Sequence, residues 1–240
     1  MQIQELLKEA KPDFSKSGED NIWITKGYVL RRWIGILGMA LPFLLWSFLW
    51  FDTKRIVPLE SISHYYFTRM GSVLVLIVGV LAIFLIIYKG KELIDLIIST
   101  TAGLFALCLL LFPTSNITEI CKDTDKFYSV TILRNSDGRA LFHYLSAAIF
   151  LLCLAYMSLF LFTKTKDVKT MGIQKKKRNV VYRICGIVML LAISVILLGF
   201  LKVIDPTWYQ EHAMTFWMEA VAVESFGFAW LVKGETIFRD

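Results

Sequence analysis

The chain has 240 residues, enough for one ordinary domain or two small ones. Hydrophobic residues make up 56 % and charged residues 19 %, against roughly 45–50 % and about 25 % in soluble domains, and the apolar residues form runs that are apolar all round, which excludes an ordinary water-soluble globule. A net charge of +6 would point to nucleic acid in a soluble protein, but the basic residues cluster between apolar spans and read as orientation signals, so membrane lipid is the expected partner and nucleic acid is not.

Residues 1–32 form a polar head with no early apolar region of the kind a cleavable signal needs. Ile3, Leu6, Leu7 and Ala10 have i, i+3, i+4, i+7 spacing. That pattern fits a short amphipathic helix on the inner membrane surface, or equally a solvated tail. Residues 33–237 carry six apolar spans, at about 33–51, 70–88, 93–112, 141–163, 182–202 and 213–232. Each is close to the ~20 residues needed to cross ~30 Å of hydrocarbon. Lipid admits only helices or closed barrels. Runs such as Val73-Leu74-Val75-Leu76-Ile77-Val78 lack the alternation of a barrel strand, so helices are expected.

The loops orient the bundle. Of the 26 lysines and arginines, 18 lie in or beside the head, the loops 2–3 and 4–5, and the tail. The run Lys175-Lys176-Lys177-Arg178 is the densest. Both termini are therefore expected in the cytoplasm, in a multi-pass protein of the cell membrane. The longest loop, 114–139, faces outside. Its Tyr128-Ser129-Val130-Thr131-Ile132-Leu133 reads as a strand entering a turn at Asn135-Ser136-Asp137-Gly138. Lys89-Gly90 and Lys233-Gly234 read as helix C-termini with a left-handed glycine. Gly35 with Gly38, Ser72 with Gly79, Ser99 with Gly103, and Ala220 with Gly227 mark faces where helices pack closely. Trp33, Trp50, Tyr88 and Trp230 read as an interfacial belt. Cys108, Cys153 and Cys185 lie in apolar runs and Cys121 in a loop; without a CxxC pair, no disulfide framework or zinc ribbon is expected.

Ionisable groups inside a bilayer are costly and mark sites by default. Glu219 and Glu224 both lie in span 6. They sit about 140° apart around the helix, so they share no tight face. Glu224, near the midplane, is a candidate proton or ion site; the plain alternative is a carboxyl bonded to a neighbouring helix. His64, His143 and His212 all fall on the outer side. Histidines with Glu219, Asp205 or Glu211 could make a zinc set, but no HxxxH or HExxH spacing supports one, and no metal is expected. There is no Walker, GxGxxG or GxSxG motif, and no cofactor is expected. Asp95 opens span 3 and suits the positive end of a helix.

Three elements carry a resemblance: Pro58 with Ser61-Ile62-Ser63 and Tyr65-Tyr66 before span 2, His143 with Ser146-Ala147 at the start of span 4, and Glu219 in span 6. Together with six spans and inside termini they resemble the DRAM/Frag/Sfk-type membrane proteins. The chain is also similar to bacterial six-span members of that type with Phe112-Pro113-Thr114 and Trp230-Leu231-Val232-Lys233-Gly234 elements. The resemblance spans most of residues 30–237. It implies roles around membrane lipids and brings no agreed catalytic mechanism.

The expectation is an all-α polytopic bundle with a polar pocket at the outer leaflet, built from Ser61, Ser63, His64, Tyr65, His143, Ser146 and Glu219. Within it, Glu219 is expected to pair with His143, because a carboxyl unpaired in low dielectric is expensive. The alternative functions are a metal-assisted hydrolase of lipid amides or esters and a proton-coupled carrier.

Overall fold

The computed structural model describes residues 27–54, 56–88, 90, 92–117, 129–165 and 172–234. The amphipathic pattern at residues 3–10 and Cys121 lie outside them. The described residues are helical and contain no strand. Among the described residues seven α-helices occur: α1 (Gly27–Thr53), α2 (Gly71–Ile87), α3 (Leu93–Leu111), α4 (Asp137–Tyr156), α5 (Ile173–Phe200), α6 (Pro206–Glu211) and α7 (Met214–Lys233). A 3-10 helix, Ile62–Phe67, lies between α1 and α2, and a π turn, Met157–Leu161, extends α4. Four of the helices are long and apolar enough to cross a membrane: Val29–Thr53, Leu93–Leu111, Asp137–Leu161 and Ile173–Phe200. Gly71–Ile87 is apolar but shorter.

The six long helices form a ring in the order α1, α2, α3, α4, α5, α7, closed by α7 against α1. The 3-10 helix packs on α1, α2 and α7 at one end of the ring. Small residues set the closest approaches. A Cβ on Gly35 would lie 2.7 Å from the Gly227 carbonyl oxygen, and one on Gly103 would lie 2.6 Å from that of Ala82. These crossings match the small-residue faces read from the sequence. Gly79 is different: a Cβ there would meet Leu110 at an ordinary 3.8 Å.

At the far end of the ring an aromatic cluster fills the core. Trp230 is fully buried, with ring centroids 5.1 Å from both Tyr88 and Phe162 and 5.9 Å from Phe226. It is a core residue and no part of an interfacial belt, whereas Trp33 and Trp50 are exposed. Neither Gly90 nor Gly234 is left-handed, since no described glycine has positive φ. Gly234 ends α7 at φ −79°. Gly90 instead lets its backbone run against Asp95, where a Cβ would collide with the carboxyl. Asp95 does more than meet a helix dipole: it caps its own helix by accepting from Glu92 N–H, and it binds Lys164 Nζ at 2.7 Å.

Three further expectations change. The basic run is no loop, because α5 begins at Ile173 and carries Lys175–Arg178 in its first two turns. Lys175 there donates to the Phe162 carbonyl, and Arg178 is buried. The segment 129–136 forms no strand. Asn116 clamps it, donating to the Leu133 carbonyl and accepting from Leu133 N–H. Asn135-Ser136-Asp137-Gly138 makes no hairpin turn; it starts α4, with Ser136 as the N-cap accepting from Arg139 N–H.

Candidate functional site

The site lies at the ring end that carries the 3-10 helix. Several bonds hold that helix in place. Glu60 C=O accepts from Phe216 N–H of α7, Phe67 C=O accepts from Val130 N–H, and the Tyr65 ring packs on Phe216. The first N–H groups of any helix lack an internal partner. Glu219 supplies one: Ile62 N–H donates to its Oε2 at 2.7 Å.

One residue further on, Ser63 meets His143. His143 Nε2 lies 2.9 Å from Ser63 Oγ, and His143 Nδ1 lies 2.8 Å from the Phe112 carbonyl oxygen. A carbonyl only accepts, so Nδ1 carries the proton and Nε2 accepts from the Ser63 hydroxyl. The sequence explains why that carbonyl is available. Pro113 disfavours the α conformation at the residue before it, so α3 stops and Phe112 leaves the helix at ψ 75°. Arg139 then ties the start of α4 to this corner, donating from Nε to Pro113 C=O and from a guanidinium NH to Arg134 C=O.

Glu219 and His143 thus do not pair. Both serve the 3-10 helix, one from α7 and the other from α4, through adjacent residues. Ser63 and Glu219 line a cavity of about 60 Å³ with Leu41, Leu74, Leu109, Phe150 and other apolar side chains of α1–α4 and α7. Its wall is apolar but for these two groups and Tyr66.

The remaining expected pocket residues sit elsewhere. Ser61 Oγ is 2.7 Å from His64 Nδ1, both buried, and neither lines the cavity. Glu60 Oε2 lies 3.4 Å from His64 Nε2. Burial holds the His64 pKa below the ordinary histidine value, with Glu60 pulling the other way. Tyr65 is buried, its hydroxyl accepting from Leu59 N–H at 3.4 Å. Ser146 is buried too and donates to Phe142 C=O, one turn back in its own helix. Neither Tyr65 nor Ser146 lines the cavity.

His212 is exposed and stacks on Trp208. Among the described residues no group of three or more His, Cys, Asp or Glu is placed to hold a metal ion. Glu224 is exposed on α7 and does not line the cavity. Sequence reasoning missed the Phe112 carbonyl and the Ile62 N–H, because backbone groups leave no composition signal; Pro113 was the only pointer to the first. The sequence reading also missed α6, which Asp205 caps with Pro206 at its first turn. No protein-family model matches the chain, and comparison with curated proteins and with solved structures gives no match.

Proposed function

We propose that this is a six-span protein of the cell membrane that handles lipid, taking the acyl part of a lipid into the cavity beside Ser63 and Glu219. The observation that carries the reading is the cavity itself: an apolar wall contributed by five helices, with polar groups gathered at the 3-10 helix. Ligand sites have this composition, with few polar groups fixing the orientation of an apolar body. At about 60 Å³ the cavity suits one segment of an acyl chain and not a whole lipid. The resemblance of the Ser61-Ile62-Ser63, His143 and Glu219 elements to those of DRAM/Frag/Sfk-type proteins favours the same reading.

In this reading α2, at 17 residues, and α7, at 20, cross together with α1, α3, α4 and α5. That gives six crossings with both termini inside, as the basic residues favour. The 3-10 helix then sits at the outer interface. A membrane-impermeant thiol reagent on intact cells should label an engineered cysteine at position 124 and spare one at 172. The reverse pattern would contradict this topology.

The lipid reading is tested by photo-cross-linking. Cells fed a diazirine-tagged fatty acid should yield protein with the acyl tag on cavity-wall peptides containing Leu109 or Phe150. Tagging confined to the exposed faces of α3 and α5 would remove the proposal.

A further inference from the structure

We infer that Ser63 is an acyl-transfer nucleophile with His143 as its general base, acting on the ester of an acyl chain seated in the cavity. The inference rests on the lipid reading above and adds chemistry to it.

Three observations carry it. The first is geometry: the Ser63–His143 distance of 2.9 Å is a nucleophile–base contact, and the base is oriented in turn by a third group, the Phe112 carbonyl at 2.8 Å. The second is proton placement. With Nδ1–H committed to Phe112, the bare Nε2 faces the Ser63 hydroxyl, which is the tautomer a general base needs. The third is access, and it separates two superficially similar pairs. Ser61 and His64 also touch, at 2.7 Å, but both are buried and neither reaches the cavity. Ser63 lines it. Glu219 fixes the residue before the nucleophile by its bond to Ile62 N–H, which makes it a positioning residue.

The step balances without metal or redox partner. Ser63 Oγ bonds to the ester carbonyl carbon as its proton passes to His143 Nε2. The carbon–oxygen bond to the alcohol breaks, and His143 returns that proton to the leaving alkoxide oxygen. Water then attacks the acyl-Ser63 ester, giving its proton to Nε2. The carboxylic acid leaves, and the proton returns to Oγ. The net change is ester plus water to acid plus alcohol.

The test uses the full chain in lipid nanodiscs and an alkyl fluorophosphonate with a long chain, read by intact mass and peptide mapping. One adduct on Ser63 is expected. Ser63→Ala should take no label, Ser61→Ala should label like the parent, and His143→Gln should label at least about 100-fold more slowly, the usual weight of a general base. Fatty acid released from phosphatidylglycerol discs, or from discs doped with diacylglycerol, would support the step and identify the ester donor. An unlabelled Ser63 in protein that still cross-links to the acyl tag overturns the nucleophile and leaves the lipid pocket standing. Loss of both label and cross-link in the parent protein overturns both.

Discussion

Replacing Glu219 by leucine should destabilise the protein by about 1–3 kcal/mol, the cost of leaving a buried donor unmade. The donor is Ile62 N–H, which Glu219 Oε2 accepts at 2.7 Å, and Ile62 is itself buried. Glutamine offers a carbonyl oxygen at nearly the same place, so Glu219→Gln should keep most of the stability. Thermal melting in detergent separates the two variants. Because Ser63 follows Ile62 directly, Glu219→Leu should also loosen the Ser63–His143 contact and lower the yield of acyl cross-link. If leucine melts with the parent protein, Glu219 does not hold the 3-10 helix.

The second large effect concerns the closure of the ring. Gly227→Ala should cost about 1–3 kcal/mol, as overpacking of a tight contact does. Its Cβ would lie 2.8 Å from the Gly35 carbonyl oxygen and 2.9 Å from Met39 N. Both are backbone atoms that a rotamer change cannot move, so α1 and α7 must part. Gly38→Ala is the internal control. A Cβ there meets nothing nearer than 3.5 Å, and alanine is the better helix former by about 1 kcal/mol. It should leave the melting temperature unchanged or raise it. Equal losses for both variants would show that helix propensity or expression, not this crossing, governs the result.

Much of this architecture is legible in the sequence, and the reasons for the misses are specific. Long apolar runs locate the helix centres because burial in lipid or core needs apolarity over the whole length. Their ends are harder. The Lys175–Arg178 run looks like a loop by charge, yet Lys175 Nζ lies 5.7 Å from the centroid of the buried Tyr182 ring and donates to the Phe162 carbonyl, and Arg178 is buried. Long basic side chains can pack against apolar surface from within a helix, and composition alone hides that. Gathering Ser63, His143 and Glu219 at one end was within reach of span-counting. The pairing within the group was not. A carboxyl and an imidazole at similar depth invite the inference of a bond, but each found a backbone partner made available by a helix terminus. Helix termini satisfy their groups locally wherever they can, and that competition is decided by chain geometry. Trp230 illustrates the same limit: a tryptophan near a span end fits an interfacial belt, and only the positions of Tyr88, Phe162 and Phe226 show it to be core.

The central claim is that the cavity beside Ser63 and Glu219 holds the acyl portion of a lipid, and native mass spectrometry of the purified protein tests it most directly. Ala147 lines the cavity, and Ala147→Trp would block it. The account predicts a lipid-sized adduct on the parent protein that survives collisional release of detergent and is absent from folded Ala147→Trp. An Ala147→Trp variant that keeps the same adduct at the same occupancy, or a parent protein that carries none, would contradict it.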